Sequence, residues 1–89
     1  SPKYLKYVKS LPCVITGAQA DDPHHLIGHG QGGMGTKSSD LFSFPLTREQ
    51  HTNLHNIGWR AWEEQHGSQW RFVAETLKKA IQDGVIKID

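Results

Sequence analysis

Five of the six histidines of this 89-residue chain fall between positions 24 and 55, in an order that limits how the chain can fold. His51 and His55 are four apart, just after Thr47-Arg48-Glu49-Gln50. That tetrapeptide is a capping-box pattern and predicts a helix running to about Gly58. On such a helix the two imidazoles share one face, with Cβ atoms ~5–6 Å apart. This is a standard way to offer two nitrogen ligands to one metal ion. The adjacent pair His24-His25 lies well upstream, before a glycine-rich stretch. A chain reversal must therefore bring the two pairs together if they are to act on one centre.

The flanking sequence supplies that reversal. Ser1-Pro2 reads as a helix start, Ser as N-cap and Pro in the first turn, and Tyr4, Leu5, Val8 and Leu11 follow at helical spacing. Pro12 ends it. Cys13-Val14-Ile15 is a short strand or a knuckle. His24-His25-Leu26-Ile27 reads as a strand, Gly28–Ser39 as a loop holding five glycines, and Leu41–Phe44 as a second strand. Beyond the histidine helix, Trp59–His66 is helical up to Gly67. Ser68 caps a last helix with Trp70, Val73, Ala74, Leu77 and Ile81 on one face, and Gly84 stops it. Val85-Ile86-Lys87-Ile88 is a short strand or a docked end. The order is helix, small hairpin with a long loop, then helices, and the fold class is α+β.

Composition sets bounds. The length suits one domain, residues 1–89, and a hydrophobic fraction of 36% leaves a modest core. A bound metal would add to its stability. The net charge of +1 does not advertise a nucleic-acid binder, but residues 1–20 carry Lys3, Lys6 and Lys9 and no acid, a local positive field. One cysteine, Cys13, excludes an intramolecular disulfide and suits a cytoplasmic setting. No signal peptide or apolar run of ~20 residues is present, so no membrane role is expected. The chain starts at Ser1, which reads as the C-terminal part of something longer.

Two signals are set aside. Gly30 and Gly35 have the spacing of a phosphate-binding P-loop, but Thr36 stands where lysine is required. Trp59, Trp62 and Trp70 resemble base-stacking platforms, yet in so small a domain at least two of them are expected in the core. His66, at a helix end, suits the helix dipole and takes no catalytic role.

The order of these elements resembles the His-Asn-His, or ββα-metal, nucleases, which join a pair of consecutive His or Asp residues to a helix carrying His-x-x-x-His. The stretch His24-His25-Leu26-Ile27-Gly28-His29-Gly30-Gln31-Gly32-Gly33-Met34-Gly35-Thr36-Lys37 further resembles a group of phage- and prophage-encoded nuclease-like proteins, a likeness that continues through Asp40-Leu41-Phe42 to Gly67-Ser68-Gln69. The resemblance implies a ββα-metal core with flanking helices. It implies His24, His51 and His55 as metal ligands and His25 as general base, a role an imidazole with an ordinary pKa of ~6.5 can fill. Two departures stand out. The family's two Cys-x-x-Cys pairs would fall at Cys13 and Thr16 and at Thr47 and Gln50, so a four-cysteine zinc knuckle is excluded. The asparagine of the family name is not evident, and Asp40 is the nearest polar candidate for its catalytic place.

The reading is a DNA endonuclease domain of phage or prophage type, used in DNA recombination or processing. Its cofactor is one divalent metal ion, Mg²⁺ in use, with Zn²⁺ or Ni²⁺ also accepted by three imidazoles. Lys37, His29, Gly32 and Gly33 are expected to face the DNA backbone. Recombination proteins are further candidate partners. The rival reading is a non-catalytic DNA-binding or assembly module that keeps the fold.

Overall fold

The computed structural model describes residues 1–30 and 38–87. Four helices surround a two-stranded antiparallel sheet: α1 (Pro2–Lys9), β1 (Asp22–His25), a 3₁₀ turn (Asp40–Phe42), β2 (Ser43–Leu46), α2 (Arg48–Ile57), α3 (Trp59–His66) and α4 (Gln69–Gln82). The α+β class is as the sequence predicts.

Both strands begin about two residues from their expected positions. β1 takes in Asp22 and Pro23, and Leu41-Phe42 belong to the 3₁₀ turn. The register pairs Pro23 with Pro45 and His24 with Phe44. Leu26 N donates to Phe42 O at 2.8 Å. In an antiparallel ladder, hydrogen-bonded pairs alternate with non-bonded ones. The two prolines therefore meet at a non-bonded pair, where the missing N–H costs the ladder nothing.

Caps fix the helix starts. The Ser1 hydroxyl accepts from Tyr4 N at 3.4 Å, and the Ser68 hydroxyl from Trp70 N at 3.2 Å. At α2 the Thr47 hydroxyl accepts from Gln50 N at 3.2 Å, and Asp21 accepts from Arg48 N at 2.8 Å. Only half of the expected capping box forms, since Gln50 Oε1 is buried without a partner. Asp21 supplies a second acceptor at the helix start instead.

The core gathers Cys13, Phe44, Leu46, Leu54, Trp62, Phe72 and Val73 between the ribbon and the later helices. A smaller cluster docks α1 on α4 through Tyr4, Val8 and Ala80, with Val85 and Ile86 packed against it; Ile88 lies outside the described residues. The buried face of α4 differs from expectation: it is Gln69, Phe72, Val73, Thr76 and Ala80. Trp70 and Ile81 lie exposed. Trp62 is fully buried, while Trp59 is partly buried beside the core. The Trp59 indole covers Gly28, whose φ is +75°; a Cβ there would lie 2.3 Å from the ring.

Candidate metal centre

The site is assembled from the middle of β1 and one face of α2. His24 is the buried residue of β1 and is 1% exposed. Its ring meets those of His51 and His55 at centroid distances of 5.0 and 5.8 Å, and the latter two are 4.9 Å apart. One nitrogen from each of the three lies within 4.8 Å of the others. Three imidazole nitrogens so placed fit the first coordination shell of one divalent ion. Because α2 follows β2 directly after the Thr47 cap, the ribbon and the helix face each other at this point.

Burial favours the neutral ring at His24. It pushes the His24 imidazole down to about 4, against the bond to Gln69 and with the help of the neighbouring His51, His55 and His25. His55 is lowered as well, by burial and then by His51. At neutral pH both present lone pairs rather than competing protons, as metal binding requires. His24 Nδ1 is buried with no hydrogen-bond partner among the described residues. Such an orphan is uncommon in a packed interior, and here it belongs to the ring that meets two other imidazoles.

Residues that the sequence did not mark support the ligands. Asp22, on β1 two residues before His24, takes His51 Nδ1 at 3.1 Å and the Arg48 guanidinium at 2.8 and 3.0 Å. The Arg48 bond holds the Asp22 carboxyl down at about 2 despite its partial burial, and His51 adds to the effect. A carboxylate accepts only, so His51 donates from Nδ1 and keeps Nε2 free. This carboxylate–histidine arrangement is common behind metal ligands. Behind His24 stands Gln69, with its Oε1 3.0 Å from His24 Nε2. Helical spacing could have flagged Gln69, since it shares a stripe with Phe72, Val73, Thr76 and Ala80. Asp22 carries no comparable signal.

The other expected site residues lie elsewhere. His25, the last residue of β1, does not join the cluster. Its Nε2 lies 2.8 Å from Asp40 Oδ1, with both side chains about one-third exposed. His29 has a φ of +56° and its Nε2 lies 2.7 Å from Glu63 Oε2. Gly32, Gly33 and Lys37, and with them most of the glycine loop, lie outside the described residues. His66 packs on Trp62 at 4.8 Å between centroids.

The Cys13 thiol is buried. Burial pushes its pKa up, but bonds to the Thr16 side chain and to the backbone of Thr16, Thr47 and Ile15 bring it below the ordinary thiol value. The fold thus brings Cys13, Thr16 and Thr47 to one spot. Gly17 N donates to Cys13 O at 2.9 Å, which closes a tight turn there.

Among the described residues, no helix is long and apolar enough to cross a membrane. Over residues 1–84 the chain matches the family described as "Protein of unknown function (DUF968)", and it belongs to that family. It is 50% identical over 84 residues to "Uncharacterized protein YdfU" of Escherichia coli strain K12; the match covers 94% of this chain and 24% of that protein. The chain thus spans about a quarter of that relative's length. No solved structure matches it.

Proposed function

We propose that this family member is a metal-dependent DNA endonuclease domain of the His-Asn-His type, with His24, His51 and His55 as the ligands. The observation that carries the proposal is the convergence of three imidazole nitrogens within 4.8 Å, drawn from a strand and a helix that a hairpin joins. The order β1, β2, α2 is that of a ββα-metal core. The meeting of Cys13, Thr16 and Thr47 at the foot of α2 gives further support, because a paired-cysteine knuckle falls at those positions in the resembling nucleases.

A divalent cation held there supplies Lewis-acid stabilisation of charge on a phosphodiester during hydrolysis. The remaining work falls to the chain itself. His25 accepts a proton from the attacking water, as a partly exposed imidazole can, and Asp40 orients its ring. The lysines of α1, Lys3, Lys6 and Lys9, meet the DNA backbone, together with Lys37 and the glycine loop. Three imidazoles without a carboxylate would hold Zn²⁺ or Ni²⁺ readily, whereas Mg²⁺ would depend on oxygen ligands from water and the DNA phosphate to complete its shell. A phage or prophage role in DNA recombination or processing belongs to the same reading. The second reading is a non-catalytic DNA-binding or assembly module that keeps the same fold.

Supercoiled plasmid incubated with the protein and Mg²⁺ separates the two. The endonuclease reading expects nicked circles that vanish with EDTA and in His55→Ala. Plasmid that is bound but never nicked, with any divalent metal, supports the module instead.

A further inference from the structure

An amide side chain in the core needs an explanation. Gln69 is fully buried on a face of α4 otherwise made of Phe72, Val73, Thr76 and Ala80. An apolar residue would pack there without the desolvation cost of an amide, which is offset only by hydrogen bonds. The amide is satisfied at every position it has. Nε2 donates to Ile27 O at 2.9 Å and to Glu63 Oε2 at 3.1 Å. Oε1 accepts from Ile27 N at 3.3 Å, and its second contact is His24 Nε2 at 3.0 Å. Glu63 is held in turn by Gln69 N at 3.1 Å and by His29 Nε2 at 2.7 Å.

This network leaves no freedom of orientation. Turning the amide over would set its NH₂ against the Ile27 N–H and its oxygen against the Ile27 carbonyl and the Glu63 carboxylate. The atom that faces His24 is therefore an acceptor. His24 must donate to it from Nε2, and in the neutral ring the lone pair is then on Nδ1. The opposite tautomer would press two lone pairs together at 3.0 Å in a buried site. Nδ1 is the buried atom with no partner among the described residues, on the ring that meets His51 and His55.

We infer that Gln69 is a positioning residue that locks His24 in the Nε2–H tautomer, so that His24 ligates through Nδ1. With Asp22 setting His51 to ligate through Nε2, the centre takes one nitrogen of each kind from these two rings. The inference rests on the metal-centre reading, and its test separates the two. Outer-shell partners of this type contribute about 10–100-fold to metal affinity.

The experiment is a long-range ¹H–¹⁵N correlation on the metal-free, ¹⁵N-labelled chain, followed by titration with Zn²⁺. The expected spectrum shows His24 protonated at Nε2, and ¹¹³Cd²⁺ couples to its Nδ1. Gln69→Met should mix the two His24 tautomers and weaken Zn²⁺ binding by about 10–100-fold. A His24 proton on Nδ1 in the wild-type chain overturns the inference, and that result needs no variant to fold. Wild-type Zn²⁺ affinity and an unmixed tautomer in Gln69→Met also overturn it, provided that His55→Ala still abolishes binding. If His55→Ala binds Zn²⁺ like the wild type, the metal-centre reading itself has failed.

Discussion

His24 and His25 are neighbours on one strand and live in different surroundings. His24 is buried among imidazoles and is held by Gln69 from α4, while His25 stands about one-third exposed at the strand end and is held by Asp40. Successive strand residues face opposite ways, so one dipeptide serves two environments. The difference suits two chemical tasks. A ligand gains from a fixed ring and from burial that keeps it neutral. A proton acceptor needs water within reach and a partner that orients it. The His24 side is supported from β1, α2 and α4, so it should fail as a unit. The His25 side rests on fewer contacts and should be separable.

The largest effect is expected where the three-histidine cluster is broken. His55→Ala should lose Zn²⁺ affinity and plasmid nicking together, as read by calorimetry and gel assay; retention of either would detach His55 from the centre. His25→Ala should slow single-turnover cleavage by roughly 10²–10⁴-fold and leave Zn²⁺ affinity close to the wild-type value. If metal affinity falls in step with rate, the two histidines do not have separate tasks. Thr47→Ala removes the cap that starts the ligand helix. It should cost about 0.5–2 kcal/mol in urea unfolding of the metal-free chain, and equal stability would mean that Asp21 alone suffices.

The smallest expected effect lies in acid. Bonds from His29 and Gln69 hold the Glu63 carboxyl below its ordinary value, outweighing the burial that pushes it up. A depressed carboxyl stabilises the fold above its unfolded pKa, and that contribution is lost as pH falls through the folded value. Glu63→Gln should therefore be less stable than wild type near neutral pH and approach it in acid. A constant gap between the two unfolding curves at all pH values would contradict this.

The meeting of His24, His51 and His55 was legible because its signals are local. The four-residue spacing of His51 and His55 fixes a helix face, and the order strand, loop, strand, helix returns His24 to it. The helix starts were legible through Ser1, Thr47 and Ser68. The strand limits were not, because Pro23 and Pro45 read as breakers until the register sets them against each other at a non-bonded pair. The face of α4 was misread because Trp70 and Ile81 look apolar and Gln69 looks polar, whereas packing buries Gln69 to reach His24. The supports of the centre come from separate elements and act through hydrogen-bond geometry, which spacing along the chain does not encode. Glu63 and Asp22 are of this kind. The Lys37, Gly32 and Gly33 contacts lie outside the described residues.

The central claim is that His24, His51 and His55 form one metal centre. X-ray absorption fine structure of the chain loaded with one equivalent of Zn²⁺ tests it most directly. The expected spectrum has nitrogen scatterers at about 2.0–2.1 Å with imidazole outer-shell features fitting three rings, and no sulfur shell. A sulfur shell near ~2.3 Å, which only Cys13 or the single methionine could supply, or failure to bind one equivalent at all, would contradict it.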